Sequence, residues 1–331
     1  WNQIGSVLTG LNAGDGTNGM IVSMNNDGTK VAVITNQTPF YGESGGQQGD
    51  HGILMAGKVT VNVTDTQKKL GDLNIHLGIV SCGSLITGHD VSLSVNTGRR
   101  GSLRAHHSAT HLLHSALRRK LGEHVAQKGS LVAVDRLRFD ISHPKPISDD
   151  ELSQIEHMVN HQIRVNSDVA TRLMTPNEAI EAGAVAMFGE KYGEEVRVVF
   201  MGEDDNKSFS TELCGGTHVR RTGDIGFFKV VSEGGVAAGV RRLEAVIGAA
   251  AEAYLRITDD TLNRTAALLK VSPADVPSRL TVIIEGYRKM EKELAEARRA
   301  LATGSQSPNA SEAEIKVVAG IKFAGRVLDG V

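Results

Sequence analysis

The sequence predicts an α+β protein: a small β-barrel, then an α+β core, then an α-helical, coiled-coil extension. Three observations predict it. Residues 1–100 hold short apolar runs with a two-residue period, residues 101–250 mix strand and helix periods, and the chain after Gly248 keeps a helical period. The expected organisation is 1–100 as the barrel with a glycine-rich motif, 101–250 as the core, 251–305 as a helical segment, and 306–331 as a linker with the start of a further domain.

In the first region, Ile21 to Met24 and Val31 to Ile34 flank Asn26-Asp27-Gly28, a hairpin turn signal. Val59 to Val63 and Val91 to Val95 alternate in the same way, and several short strands at this spacing predict a barrel. The stretch from Thr38 to Gly49 interrupts them, with too much glycine for a strand and no helical period. In the core, His106 to Leu121 places apolar residues at 109, 112, 113, 116, 117 and 121, one face of a helix. Ser148-Asp-Asp-Glu151 and Thr175-Pro-Asn-Glu178 read as capping boxes at two further helix starts. Strands are expected at Val196 to Met201, Phe209 to Leu213, Ile225 to Val231 and Val240 to Ile247. Ala249 to Lys270 is expected as one helix. After Pro277, Leu280, Tyr287, Leu294 and Leu301 recur every seven residues, with Ile283, Met290 and Ala297 between them. Such a short heptad seam serves pairing within the chain, a homodimer, or packing onto its own domain. Gly304 to Ala310 is expected to be a flexible linker.

Composition narrows the function classes. Lys plus Arg is 36 and Asp plus Glu is 38, a formal charge of −2, which excludes a uniformly basic nucleic-acid binder but leaves local basic patches. Aromatic residues make up 4%, too few for repeated base-stacking platforms. Cys82 and Cys214 are far apart, so no disulfide scaffold is expected and a reducing cytoplasm is. Cys82, with no ligand neighbour in sequence, is expected to be a small buried residue. No apolar run reaches the ~18 residues of a membrane span. The chain opens on Trp1 and stops soon after an apolar segment begins at Ile315, so a piece of a longer protein is expected.

Two separated segments carry chemistry. His107-Ser-Ala-Thr-His111 places two imidazoles one helical turn apart, about 6 Å, a separation one metal ion can bridge. His107, His111 and His114 point roughly opposite the apolar face, which leaves a metal face or a solvent face. Cys214-Gly-Gly-Thr-His218 adds a thiolate and an imidazole, with glycines that let a loop fold tightly between them. Sulfur and nitrogen donors together suit Zn²⁺. Position 108 is Ser, so this is not the His-Glu-x-x-His helix of metalloproteases, and a second Cys pair, as in zinc fingers, is absent.

His107-Ser-Ala-Thr-His-Leu-Leu-His114 together with Cys214-Gly-Gly-Thr-His218 resembles the editing domain of the alanyl-tRNA synthetase family and its free-standing AlaX-type relatives. Thr38-Pro-Phe-Tyr-Gly-Glu-Ser-Gly-Gly-Gln47 resembles that family's glycine-rich motif, and Val125-Ala-Gln-Lys-Gly-Ser130 and Arg221-Thr-Gly-Asp-Ile225 fit it too. Threonyl-tRNA synthetases share the His and Cys logic, but Gly215-Gly216-Thr217 favours the alanyl type. The resemblance implies a zinc-containing editing domain that hydrolyses seryl- and glycyl-tRNA(Ala) and spares alanyl-tRNA(Ala). It implies His107, His111, Cys214 and His218 as zinc ligands, Thr38 as the group that meets the serine hydroxyl, and Gln127 as a pocket-lining residue. It also implies that the ATP-dependent aminoacylation core lies outside this chain.

Chemistry sharpens these expectations. Serine differs from alanine by one hydroxyl, which an apolar pocket rejects only about 10²-fold, whereas a site that hydrogen-bonds the hydroxyl discriminates far more. Thr38 is the candidate for that bond, unless it merely closes a turn. Four protein ligands would make a closed, structural type of metal site, whereas a catalytic ion keeps a position open. His114 is a candidate outer partner or base, or else a solvent-facing or packing residue, and Asp224 a candidate to orient a ligand histidine or an ordinary turn residue. Arg104, Lys128, Arg220 and Arg221 flank the motifs and are candidate contacts to phosphates at the tRNA(Ala) acceptor end. A free-standing deacylase and a structural-zinc tRNA-binding module without catalysis are the alternative readings.

Overall fold

The computed structural model describes residues 2–4, 21–24, 29–88, 90–185, 193–205, 207–303 and 316–323. The chain divides into two compact units, Trp1–Tyr254 and Leu255–Val331.

The first unit opens with strands β1 (Asn2–Ile4), β2 (Ile21–Met24), β3 (Lys30–Ile34), β4 (Gly52–Ala56), β5 (Val59–Lys69), β6 (Leu73–Cys82) and β7 (Ser92–Val95). They form one antiparallel sheet in the order β1-β2-β3-β6-β5-β4-β7. Val31, Val33, Leu54, Val61 and Val63 alternate onto one face and bury there with Phe40. The expected barrel is corrected to an open sheet: β1 and β7 are its edges, and no ladder joins them among the described residues. Period-two burial shows only that one face is covered, whereas a barrel also needs its first and last strands to pair. The β2–β3 hairpin forms, although its expected turn, Asn26 to Gly28, lies outside the described residues. Cys82 is exposed at the end of β6, contrary to the buried position expected, because the buried alternation of β6 stops at Gly78.

Helix α1 (Thr97–Leu121) follows β7 directly, and Asn96 caps it by accepting from the Arg99 N–H at 3.0 Å. Then come β8 (Gln127–Val132), β9 (Leu137–Ser142), α2 (Asp149–Val165), β10 (Ala170–Met174), α3 (Pro176–Glu181), β11 (Val196–Met201), β12 (Ser210–Leu213), a 3-10 turn at Thr222–Ile225, β13 (Phe228–Ala237) and β14 (Val240–Ile247). Both capping boxes form, Ser148 with Glu151 and Thr175 with Glu178. Strands β13-β14-β9-β8 make a second antiparallel sheet and β10-β11-β12 a third. Helix α1 packs along α2 and over β8, β9 and β14. Leu112, Leu113 and Leu117 of α1 are fully buried in the core, each contributing about 1.5–3 kcal/mol. That packing holds the opposite face of α1 in place, and the histidines stand there.

Helix α4 (Gly248–Leu269) leads into the second unit, followed by α5 (Val276–Thr303) and the hairpin β15 (Lys316–Val318) with β16 (Ile321–Phe323). Leu280, Ile283, Tyr287, Met290, Leu294 and Leu301 of α5 are all exposed. The expected linker, Gly304 to Ala310, lies outside the described residues. No described helix is long and apolar enough to cross a membrane.

Candidate metal centre

Helix α1 and the loop after β12 build the centre. His107 and His111 stack one turn apart on α1, their ring centroids separated by 5.1 Å. Cys214 ends the ladder of β11 with β12: its N–H donates to the Arg197 carbonyl, and the Arg197 guanidinium donates back to the carbonyls of Cys214 and Gly216 at 2.6 and 2.8 Å. The loop can lie against α1 only because residue 216 has no side chain. A Cβ there would stand 2.1 Å from His107 Cε1. Cys214 Sγ consequently lies 3.4 Å from His107 Nε2 and 3.3 Å from His218 Nε2. One ligand atom from each of His107, His111, Cys214 and His218 lies within 4.8 Å of all the others.

The outer partners fix which ring nitrogen faces the centre. His107 Nδ1 donates to Gln47 Oε1 at 2.7 Å, His111 Nδ1 to Glu212 Oε2 at 2.7 Å, and His218 Nδ1 lies 3.2 Å from Ser108 Oγ. Gln47 Oε1 and Glu212 Oε2 accept only, so the Nε2 atoms of His107 and His111 are left toward the sulfur, and His111 Nε2 is buried with no hydrogen-bond partner. Ligand histidines in metal sites are held in this way through their second nitrogen. A tetrahedral ion at ordinary Zn–N and Zn–S distances needs ligand atoms about 3.3–3.6 Å apart, which matches the contacts to Cys214.

Electrostatics point the same way. Burial works against ionisation of Glu212, yet His111 and His114 outweigh it and hold the carboxyl below its usual range. Burial likewise opposes a Cys214 thiolate, but His107 and His111 bring its pKa well below that of an ordinary thiol. Burial disfavours a proton on His111 too. The facing Glu212 and Cys214 charges overcome it and raise the pKa to about 10. Two buried anions thus draw positive charge to the centre, and a divalent cation supplies it without a proton on His111 Nε2. His218, pushed down to about 3 chiefly by burial, stays neutral as a ligand must. The residues present therefore fit a metal ion.

The glycine-rich motif reaches this centre through Gln47. Its Oε1 also accepts from the Thr217 N–H at 3.0 Å, and its Nε2 donates to Thr217 Oγ1 at 2.9 Å. Backbone bonds between Gly46, Gln48 and Val132 tie the motif to the far end of β8. Arg100 Nη2 donates to the Pro39 carbonyl at 2.8 Å, and its guanidinium pairs with buried Asp50. Arg100 stands two turns before His107 on the same face of α1, about 10 Å along the axis. The Thr38 stretch thus runs along the face of α1 that carries His107 and His111. Thr38 itself is half-buried, 2.7 Å from His76 Nε2.

The other expected residues lie as follows. Gln127 opens β8, half-buried, at the end of the strand away from Val132, and no hydrogen bond links it to the cluster among the described residues. His114 is buried, with Nδ1 3.2 Å from Glu212 Oε1 and its ring edge against Phe139. The carboxylate that orients a histidine of the cluster is Glu212, which accepts from His111. Asp224 instead accepts from the Arg221 N–H and closes the 3-10 turn. Arg104 has a buried Nε without a partner, and burial, then the charges of Arg100 and Arg220, lower its pKa. Arg220 and Lys128 are exposed, whereas Arg221 is tied to Asp168 and Asn166. Gln47, Ser108, Arg197 and Glu212 carry no role in the sequence reading. Glu212 was within reach of it, since it stands two residues before Cys214 and so on the same face of a strand.

Comparison with known proteins gives first the class. Residues 14–99 match the family described as tRNA synthetases class II (A), and residues 196–244 match the threonyl and alanyl tRNA synthetase second additional domain. The second match covers β11, β12 and the Cys214–His218 loop. The chain is a homologue of the alanine–tRNA ligases across nearly all its length. It is 54% identical over 320 residues to the alanine–tRNA ligase of Paramagnetospirillum magneticum, covering 95% of this chain and 35% of that protein. It is 54% identical over 318 residues to that of Mesorhizobium japonicum, and 51% identical over 341 residues to that of Rhizorhabdus wittichii, covering 36% and 38% of those proteins. The chain thus spans about a third of the length of these relatives.

Proposed function

We propose that this chain is the editing part of an alanine–tRNA ligase, a cytoplasmic, zinc-dependent hydrolase of the ester in mischarged seryl- and glycyl-tRNA(Ala). The observation that carries this reading is the convergence of His107, His111 and His218 Nε2 with Cys214 Sγ, beside a glycine motif that Gln47 locks to it. When bound, Zn²⁺ supplies a Lewis acid for the ester carbonyl. The chain's own residues do the rest. Gln47 and Glu212 hold His107 and His111 in one tautomer, Ser108 steadies His218, Thr38 meets the substrate side chain, and Gln127 lines the pocket. Arg104 and Arg220, with Lys128 beside the motifs, hold phosphates of the acceptor end, whereas Arg221 is tied to Asp168 and Asn166. The exposed heptad stripe of α5 pairs with a second helix, of this protein or of another copy.

The test is the rate of ester hydrolysis on seryl-, glycyl- and alanyl-tRNA(Ala) before and after zinc is stripped and restored. Fast loss of the first two esters, slow loss of the third, and recovery with zinc are expected. One observation favours a second reading. Four protein ligands close a tetrahedral shell, as in structural sites. Tight tRNA binding by zinc-loaded protein with no turnover of any ester would establish that alternative, a binding module.

A further inference from the structure

His76 lies in β6, outside every motif in the sequence, and is 1% exposed. Its register partner is Val33 of β3, and its Nδ1 lies 2.9 Å from the Val33 carbonyl. A carbonyl only accepts, so Nδ1 carries the proton. Burial lowers the pKa of this ring, so it stays neutral and its Nε2 is a bare lone pair. Thr38 Oγ1, 2.7 Å away, therefore donates its only proton to His76. The Phe40 N–H at 3.0 Å donates to the same oxygen. The Phe40 ring stands edge-on to the imidazole at 5.2 Å and fixes its plane. A hydroxyl has one proton and two lone pairs. The proton and one lone pair are taken, and one lone pair is left on a side chain that is only half-buried.

We propose that His76 is a specificity-positioning residue, which takes the Thr38 proton and so leaves Thr38 able only to accept from the aminoacyl group. The proposal rests on the editing reading above and says how that site separates its substrates. A seryl side chain offers an O–H to the free lone pair. A glycyl group leaves space for a water, which also has a proton to give. An alanyl methyl fills that space and gives none, so the Thr38 oxygen loses its partner. The property selected is hydrogen-bond donation rather than size.

The discriminating probe is 3-fluoroalanyl-tRNA(Ala), whose CH₂F has nearly the shape of CH₂OH and no proton to donate. Zinc-loaded full chain is assayed on seryl, fluoroalanyl and glycyl esters, and rates are normalised to glycyl hydrolysis by the same variant. Wild type should prefer seryl over fluoroalanyl by about 10²-fold or more. That preference should persist in Thr38→Ser and fall at least tenfold in His76→Leu, where the freed hydroxyl can turn. Nitrogen-15 NMR of resting wild type should show His76 protonated at Nδ1 and bare at Nε2. A proton at Nε2, equal rates on seryl and fluoroalanyl esters, or an unchanged preference in His76→Leu would overturn the proposal. A wild type that hydrolyses neither seryl nor glycyl ester would overturn the editing reading instead, and the NMR result would still decide the sense of the Thr38–His76 bond.

Discussion

Gln47 Oε1 and His107 Nδ1 meet at 2.7 Å, and both side chains are buried. One end of this bond belongs to the glycine motif between β3 and β4, the other to the helix that bears His107 and His111. Through it the metal centre and the motif that carries Thr38 become one construction.

Replacing Gln47 by Leu should uncouple them. It removes the acceptor of both His107 Nδ1–H and the Thr217 N–H, and each buried donor left unpaired costs about 1–3 kcal/mol. Zinc affinity should fall about 10–100-fold, as for other outer-sphere losses. Competition with a chromophoric chelator measures it, and wild-type affinity in Gln47→Leu would mean that the bond does not orient the ligand.

Adjacent glycines should respond in opposite ways. In Gly216→Ala the new Cβ meets His107 Cε1, whereas at Gly215 nothing lies within 4 Å. Gly216→Ala should lose metal and about 1–3 kcal/mol of stability, whereas Gly215→Ala should change neither. Chemical denaturation with a zinc assay on both variants checks this.

Glu212 accepts from His111, His114 and Ser210 within one buried pocket. Glu212→Gln keeps the shape but replaces half of the acceptor with a donor that faces other donors. Zinc affinity should fall about 10–100-fold, and Co²⁺-substituted protein should show a weakened, shifted visible band. An unaltered Co²⁺ spectrum would remove Glu212 from the metal's surroundings.

Burial lowers the pKa of His76, so its proton is taken up by the unfolded chain first as the pH falls. The stability this residue lends is complete above about 6.5, the unfolded value, and is lost as the pH falls through its folded value. Urea unfolding between pH 7.5 and 5 should show a decline that is shallower in His76→Leu. Parallel declines would contradict a buried neutral imidazole.

The buried Nε of Arg104 has no partner and Arg220 is exposed, whereas Arg221 is held by Asp168 and Asn166. Charge removal at Arg104 or Arg220 should each lower the salt slope of tRNA binding by about 1. An unchanged slope in Arg104→Ala and Arg220→Ala would place the acceptor end elsewhere.

Local chemistry made much of this legible in the sequence. Both capping boxes and the strand Val240–Ile247 lie where the residue pattern puts them. His107 with His111, and Cys214 with His218, are legible because each pair sits within one element or one tight loop, and the fold then brings the two pairs together. Helix α1 starts at Thr97 rather than His106, because its first turns lack apolar periodicity. The Asn96 cap and the pairing of Arg100 with Asp50 hold them instead. Gln47 and His76 were hidden for the same reason: their partners lie 60 and 38 residues away in sequence, and only the tertiary fold brings them together. Open sheet and barrel share one alternation, and only edge pairing separates them.

The most direct test of the central claim is the rate of seryl-tRNA(Ala) hydrolysis relative to alanyl-tRNA(Ala), measured with zinc-quantified wild type and Cys214→Ala. Fast, serine-selective hydrolysis in wild type, lost together with zinc in Cys214→Ala, is the predicted result. Folded, zinc-loaded wild type that leaves seryl-tRNA(Ala) intact, or a zinc-free Cys214→Ala that hydrolyses it as fast as wild type, would contradict it.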